Sequence, residues 1–377
     1  MIKKNSKSIK VFEPYLSVID SVSVYRSIQK KDISGSSSIV KKFEDTLAKQ
    51  FERQYVATVS NGSIALDLAL EVLNLEPEDE VILPSFTIIS CLSAVIRAGA
   101  KPVFCDVDKS TWNMTLKDVE SVLTQKTKAV LLVHTYGLTS EAEEIEAFCN
   151  ENNLFLIEDA AEAHEQKINN RKCGSFGEIS TFSFYANKHI TTGEGGCIMT
   201  NDDRIYKKIL QMRNLDFIPD KRFYHENLFW NYRLSGIQAS LGLSQLKKYE
   251  KIISHKIYQG MNYYKLLNNF SEHIQLPVLK NNSSINNFWV FGVVIKKDGI
   301  RDVISNKMSE IGIETRPFFY PLHLQPVLKS LNENRVFLKN SEYLGSNGLY
   351  LPMGPHINKR TQKYIIDKFK KIVLSLV

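Results

Sequence analysis

Residues 154–164 read LFLIEDAAEAH and residues 183–196 read SFYANKHITTGEGG, and these two stretches decide the fold. Each begins with an apolar run typical of a buried strand. The first run ends at the carboxylate of Asp159, and the second is followed by the amine of Lys188. The TTGEGG segment after the lysine allows a tight backbone that no side chain obstructs. The carboxyl end of a buried strand in an open α/β sheet is where ligands bind, so both groups are candidates for a site.

This pair of groups is what pyridoxal 5′-phosphate (PLP) chemistry needs. A lysine amine holds the cofactor's aldehyde as a Schiff base, and a carboxylate keeps the pyridine nitrogen protonated. Most lysines are solvated surface residues, but the setting of Lys188 between a strand end and a glycine-rich turn favours the catalytic alternative. Asp159 has a turn or helix-cap alternative. Glu162 either faces the ring's phenolic oxygen or is exposed to solvent, and the sequence leaves both open.

Strand and helix patterns alternate from about residue 55 to residue 205, which predicts an α/β fold. Continuously apolar runs such as AVLLV indicate strands buried on both faces, and therefore a mostly parallel central sheet. The predicted strands are YVATVS (55–60), EVILPS (80–85), KPVFCDVD (101–108), AVLLVHTY (129–136), LFLIED (154–159), STFSFY (180–185) and CIMTND (197–202).

Two domains are predicted. Residues 1–250 form the large domain, which includes a helical lead-in where Ser38 is expected to cap the helix IVKKFEDTLAKQF. A long helical segment from Arg233 to Phe270 would carry the chain into a small α+β C-terminal domain, residues 251–377.

A phosphate site is predicted where the segment SNGSIALDLALEVL begins its helix, around Ser63. Free N–H groups at a helix N-terminus attract anions, and Asn61 and Gly62 lie there. This signal is common by itself. It gains weight from Ser183, which precedes Lys188 by five residues and can donate a hydroxyl to the same phosphate.

Composition excludes several classes of protein. The chain has 377 residues and a net charge of +7, which favours an anionic ligand. It has no Lys/Arg block of five or more, so nucleic acid is not an expected partner, and no apolar run approaches the ~20 residues of a membrane helix. Five cysteines without a CxxC pair predict reduced thiols, no metal site and a cytoplasmic location.

Taken together, these motifs resemble the DegT/DnrJ/EryC1/StrS family of fold-type I (aspartate aminotransferase-like), PLP-dependent aminotransferases, most of which act on nucleotide-linked keto sugars. The resemblance runs from about Phe43 to Gln325. It is carried by SNGSIAL, EVILPSFT, GAKPVFCDVD, IEDAAEAH, GSFGEISTFSFYANKHITTGEGG, NYRLSGIQASLGLSQL and IETRPFFYPLHLQP. The ANKxITTGEGG and ETRPFFYPLHLQP forms are most similar to those of GDP-perosamine synthases, which aminate GDP-4-keto-6-deoxymannose with glutamate for surface polysaccharides.

The resemblance implies a role for each candidate that contacts the cofactor. Lys188 would form the Schiff base and shuttle the proton, Asp159 would pair with the pyridine nitrogen, and Glu162 would lie at the phenolic oxygen. The residues implied to hold the phosphate are Gly62, Ser63 and Ser183.

The remaining implied residues lie at the edges of the site. Asn231, in the NYR motif, would reach the cofactor of a neighbouring subunit, which implies a homodimer. Arg316, Tyr320 and His323 are implied to line the substrate pocket, and a structural role is the alternative for His323. Ile88 stands where many members place an aromatic residue against the pyridine ring.

Two further departures from the family pattern concern loops. The usual AHG is AHE, so Glu165 replaces a glycine beside the cofactor, and the N-terminal PYLxGNE is PYLSVID. A small phosphorylated ketone such as dihydroxyacetone phosphate is the alternative acceptor.

Two other classes are less favoured. A PLP-dependent sugar dehydratase on this fold would carry histidine in place of the Schiff-base lysine, but here Lys188 is present and His189 only follows it. A non-catalytic PLP-binding regulator would usually carry a DNA-binding domain, and no helix-turn-helix is evident.

Overall fold

The computed structural model describes residues 8–217, 221, 223–281, 284–329 and 336–377. Within them the strands are β1 (Tyr55–Val59), β2 (Glu80–Pro84), β3 (Lys101–Cys105), β4 (Thr127–Val133), β5 (Phe155–Asp159), β6 (Lys167–Ile168), β7 (Arg171–Lys172), β8 (Ile179–Ser183), β9 (Gly196–Thr200), β10 (Ile274–Gln275), β11 (Lys280–Asn281), β12 (Ser284–Ile285), β13 (Phe291–Ile295), β14 (Arg316–Pro317) and β15 (Gly348–Leu351).

The helices of the described residues connect and cover these strands. They are α1 (Val18–Gln29), α2 (Ser38–Phe51), α3 (Gly62–Glu71), α4 (Ile89–Arg97), α5 (Leu116–Glu120), α6 (Ala142–Glu151), α7 (Asp203–Arg213), α8 (Gly236–Leu246), α9 (Tyr249–Leu267), α10 (Arg301–Glu310), α11 (Pro326–Lys329), α12 (Lys339–Asn347) and α13 (Lys359–Leu374), with 3₁₀ turns at Asn268–Phe270 and Leu322–Leu324.

Seven strands form the central sheet in the order β1-β9-β8-β5-β4-β2-β3. The neighbours from β8 to β3 pair in parallel, and β9 runs antiparallel to both β1 and β8. The mostly parallel sheet is confirmed, and each of the seven predicted strands is present within three residues at either end. Continuous apolar runs were a sound guide because helices cover both faces of such a sheet.

Alternate residues of each central strand enter different cores. In β4, Val130 and Leu132 pack in a core with Phe43, whereas Leu131 and Val133 pack in a second core that lies on α3. This alternation follows from the two-residue period of a strand. It also sends the last residues of β5 to opposite faces of the sheet, which matters for the site.

A four-stranded sheet, β10-β13-β15-β14, stands on a third core in the C-terminal part of the chain. Helix α9 joins the regions, because Tyr249 and Ile252 lie in a core of the central sheet and Tyr263 and Leu267 lie in the third core. The domain boundary near residue 250 stays a prediction, since the side chains of α9 are divided between the two cores.

Two predictions of helix boundaries are wrong in detail. Ser37, not Ser38, precedes the first residue of α2 as its N-cap. The helical segment from Arg233 to Phe270 is broken between α8 and α9, and α8 has its own start in a capping box between Ser235 and Gln238. A serine with glutamine three residues later is a helix start signal within the predicted segment.

Candidate active site

Lys188 lies in the turn after β8, and its backbone N–H donates to the Tyr185 carbonyl at 2.9 Å. Its side chain is only 10% exposed, so it is not a solvated surface lysine. The amine Nζ is 3.5 Å from Glu162 Oε1 and 4.0 Å from the centroid of the Trp289 ring. A carboxylate and an aromatic face therefore hold the amine at the carboxyl edge of the sheet.

Asp159 is the last residue of β5 and is buried. Its Oδ1 accepts a hydrogen bond from Ala161 N at 3.0 Å, and its Oδ2 lies 3.6 Å from the thiol of Cys91. Burial raises the pKa of this carboxyl, and the Ala161 N–H and the charge of Lys188 oppose the rise only in part. Asp159 is thus a deep carboxylate with unused acceptor capacity.

Glu162 is buried, which decides against its solvent-exposed alternative. Its Oε2 accepts from Tyr136 N at 3.0 Å while Oε1 faces the Lys188 amine. Burial raises the pKa of Glu162 to about 7, against the opposing charge of Lys188. The carboxyl can therefore change protonation near neutral pH.

The predicted phosphate residues come together at the N-terminus of α3. Asn61 caps the helix by accepting from Ile64 N at 2.9 Å, which leaves the earlier N–H groups of the helix free. A Cβ on Gly62 would lie 2.8 Å from Ser183 Cβ, so only glycine lets the helix start approach that serine. The Ser63 hydroxyl is 2.7 Å from that of Ser90, at the exposed side of the same cradle.

Ile88 and the C-terminal candidates are more open. Ile88 is 42% exposed at the start of α4, and Tyr320 is more than half exposed. Arg316 lies 3.8 Å from Glu314 and 5.2 Å from the ring centroid of Phe12. These side chains are exposed enough to meet a ligand.

His323 differs from its neighbours because both ring nitrogens are engaged within the protein. Nδ1 lies 2.6 Å from the Ser85 hydroxyl and Nε2 lies 3.2 Å from Glu342 Oε1. The ring is buried and ties the 3₁₀ turn to the end of β2. This geometry favours the structural alternative for His323.

Asn231 is exposed, and its backbone bridges to Asn214. No hydrogen bond of the described residues joins it to Lys188, Asp159 or Glu162. Large apolar side chains before it are bare: Leu228 is 98% exposed and Trp230 is 69% exposed.

Sequence reasoning missed three residues that the fold brings to the site. Trp289 lies against Lys188, and Tyr136 stacks on Trp289 with ring centroids 5.9 Å apart. Burial raises the pKa of Tyr350 in β15 to about 12. The charge of Arg316 opposes this rise, and that of Glu162 adds to it. These side chains come from separate elements, so no local spacing could signal them.

The AHE departure has a physical account. Glu165 has a φ of 57°, in the left-handed region that favours glycine. Its Oε1 accepts hydrogen bonds from Gln50 at 2.7 Å and from Lys172 at 3.3 Å. These contacts offset the strain, and the loop keeps a glycine-like backbone.

The described residues fit a bound PLP. Within the described part of the chain, no cation forms a salt bridge with the buried carboxylate of Asp159, and a protonated pyridine nitrogen supplies one. The Gly62–Ser183 approach and the free N–H groups of α3 form a cradle for a phosphate dianion. The Lys188 amine stands where an aldehyde can reach it. The described helices include none long and apolar enough to span a bilayer.

Comparison with known proteins agrees with this geometry. The profile of the DegT/DnrJ/EryC1/StrS aminotransferase family matches residues 21–370. The GDP-perosamine synthase of Escherichia coli O157:H7 is 35% identical over 97% of this chain and 98% of its own length. That of Vibrio cholerae is 33% identical over 96% of this chain and 98% of its own length.

Solved structures show the same architecture. The aminotransferase TlmJ from Streptoalloteichus hindustanus superposes with a TM-score of 0.91 at 25% identity, and the match covers 98% of this chain and all of TlmJ. The predicted fold-type I architecture, the resemblance and the PLP cofactor are confirmed.

Proposed function

The chain belongs to the DegT/DnrJ/EryC1/StrS aminotransferase family, and from this premise we propose that it moves an amino group from glutamate to a keto sugar nucleotide. It is a PLP-dependent aminotransferase. The acceptor we propose resembles GDP-4-keto-6-deoxymannose, and its product would serve surface polysaccharide synthesis. The observation that carries the acceptor is the 35% identity to a GDP-perosamine synthase over nearly the whole of both chains.

Bound PLP supplies an aldehyde that captures amines and a ring that accepts the electrons of a broken C–H bond. We propose that Lys188 Nζ holds the cofactor and then moves the proton between cofactor and substrate carbon. The amine lies 3.5 Å from Glu162, which supports this role. A carboxyl that titrates near pH 7 can exchange a proton with the amine during the cycle.

Asp159 is proposed to pair with the ring nitrogen. A carboxylate buried without a cation favours a protonated partner strongly, since interactions are stronger where water is excluded. Asn61 shapes the start of α3, and Gly62, Ser63 and Ser183 are proposed to bind the phosphate. Ile88 would cover one face of the ring.

We propose that Arg316 and Tyr320 meet the anionic acceptor or glutamate. Arg316 is half-exposed, and its salt-bridge partner Glu314 is 3.8 Å away, so the guanidinium can turn to a carboxylate or phosphate. The net charge of +7 attracts both anions.

A homodimer is part of the proposal. Leu228 and Trp230 expose apolar surface that a second chain can cover, and they lie beside Asn231. A second copy that covers them would bring Asn231 to the partner's cofactor phosphate. We place the reaction in the cytoplasm, because all five cysteines are free thiols.

The test uses glutamate with a ¹⁵N amino group. The enzyme is incubated with this donor and one ketone at a time, and 2-oxoglutarate and the aminated product are identified by mass. Labelled amine on GDP-4-keto-6-deoxymannose supports the proposed acceptor. Labelled amine only on dihydroxyacetone phosphate keeps the transamination and overturns the sugar nucleotide.

A further inference from the structure

Lys256 of α9 is a buried lysine that the proposed chemistry does not use. The residue is 5% exposed, and its Nζ donates to the Trp289 carbonyl at 2.6 Å. Among the residues that the structure describes, no carboxylate forms a salt bridge with it. The titratable groups whose charges interact with it are Lys188, His164, His189 and His255.

Such a lysine is costly for a protein to keep. A buried cation without a counter-charge costs free energy unless it is hydrogen-bonded or neutral. Burial, and then the charge of Lys188, lower the pKa of Lys256 to about 7. An apolar side chain would fill the same space without this cost. The hydrogen bond from Lys256 to the Trp289 carbonyl is therefore the contact that distinguishes the lysine from an apolar residue here.

Trp289 connects that contact to the amine. Its indole Nε1–H donates to the Asn187 carbonyl, one residue before Lys188, at 3.1 Å. The face of the same ring lies 4.0 Å from Lys188 Nζ, and Tyr136 stacks on it. Lys256 therefore holds the backbone of Trp289. The indole of Trp289 in turn contacts both the Lys188 amine and the turn that carries Lys188.

We propose that Lys256 and Trp289 position Lys188: Lys256 anchors the Trp289 carbonyl, and the anchored indole shields the amine and holds its turn. This inference rests on the proposed role of Lys188. Lys256 acts only through Trp289, which makes the effects of the two residues non-additive.

The experiment measures how fast acetic anhydride acylates Lys188 in the full-length protein freed of PLP. Peptide mass spectrometry measures the acylation of Lys188, which is expressed relative to the acylation of exposed lysines in the same digest. Labelling is done at about pH 9, roughly two units above the pKa of Lys256, so that the removed side chain carries little charge. The variants are Lys256→Met, Lys256→Gln, Trp289→Phe and the double variant Lys256→Met/Trp289→Phe.

We expect Lys256→Met to raise the acylation rate of Lys188 about threefold, as for loss of one partly desolvated cation–π contact. Trp289→Phe should do the same, and the double variant should exceed neither. Lys256→Gln, which keeps an N–H donor and is uncharged like Lys256 at this pH, should keep the rate close to that of the wild type. The matched control is Lys172→Met, because Lys172 is also a largely buried lysine that donates to a carbonyl, that of Gln50. It should leave Lys188 unchanged.

Two results would overturn the inference: an unchanged Lys188 rate in Lys256→Met, or effects of Lys256→Met and Trp289→Phe that multiply in the double variant. Failure of the underlying function has a different signature. Borohydride reduction of the wild-type holoenzyme should leave a pyridoxyl group on the peptide with Lys188. A pyridoxyl group on another lysine would refute the role of Lys188 itself.

Discussion

Glu158 and Asp159 are consecutive, both are buried carboxylates of β5, and they have opposite environments. Glu158 accepts hydrogen bonds from His134 Nε2 at 2.9 Å and from the N–H groups of Gly174, Phe176 and Gly177. Burial alone would raise its pKa, but these donors outweigh burial and lower it. Asp159 has one backbone donor and a thiol, and its pKa is raised.

The difference distinguishes a carboxylate whose partners the fold supplies from one whose acceptor capacity the fold leaves open. His134 Nδ1 accepts from Ser140 N at 3.1 Å, so both ring nitrogens of His134 and both carboxylate oxygens of Glu158 have partners within the protein. On the other face, the acceptor capacity that the fold leaves unused at Asp159 is what a ligand can complete. Missing partners, more than burial or charge, indicate the site.

The largest effect is expected from removing the Lys188 amine, which tests only the face of the sheet that carries the candidate site. Lys188→Ala should reduce transamination by roughly ten-thousandfold, because it removes the amine that moves the proton. PLP should still bind, since the phosphate cradle and Asp159 remain. Turnover and equilibrium dialysis of PLP measure the two properties. Lys172→Ala is the control, and retained turnover in Lys188→Ala would contradict the assignment.

Exchanging the two carboxyls for amides tests the comparison directly. Glu158→Gln should lower the free energy of unfolding by about 3 kcal/mol, because it leaves a buried network with the wrong donors and acceptors. Asp159→Asn should leave the stability of the PLP-free protein equal or higher and reduce turnover about a hundredfold. Urea unfolding and turnover are measured for both variants. Equal changes in stability and in turnover would contradict the distinction between Glu158 and Asp159.

The third prediction concerns pH and Glu162. Its pKa in the folded protein, about 7, lies above its ordinary value of 4.5, so the native state binds the proton more tightly. Stability is therefore greater below about pH 4.5 and declines as the pH rises to about 7, by at most about 3 kcal/mol. Glu162→Gln should remove this decline in the PLP-free protein.

Urea unfolding of wild type and Glu162→Gln at about pH 5 and pH 8 measures the effect. His164 and His189, whose pKa values burial lowers, change stability in the opposite sense. The difference between the two proteins cancels that contribution. Equal pH dependence in both would show that Glu162 does not titrate in this window.

The smallest effect belongs to the loop behind the site. Glu165→Ala keeps the left-handed backbone and loses the contacts with Gln50 and Lys172, whereas Glu165→Gly loses the contacts but relieves the strain. The glycine variant should therefore be more stable than the alanine variant by about 1 kcal/mol. Thermal unfolding compares them, and a more stable alanine variant would mean that the strain is absent.

The central sheet could be predicted well because its signals are local. Each strand is a short apolar run between turn residues, and helices separate most of them. Lys188, Asp159 and the start of α3 could be predicted as site candidates for the same reason, since each is defined by the element it ends or begins. The break between α8 and α9 was missed although the SGIQ capping box lies within the segment.

The sequence by itself determined the α/β fold, the amine and carboxylate at the strand ends and the resemblance to a family, because strand period, chain order and residue type are properties of neighbouring residues. Tertiary structure alone decided that Glu158 is saturated while Asp159 is not, that His323 is engaged by Ser85 and Glu342, and that Trp289 and Lys256 stand behind Lys188. These facts depend on hydrogen bonds and packing between segments far apart in the chain. Only the folded core brings such segments into contact and removes the water that would otherwise satisfy their polar groups.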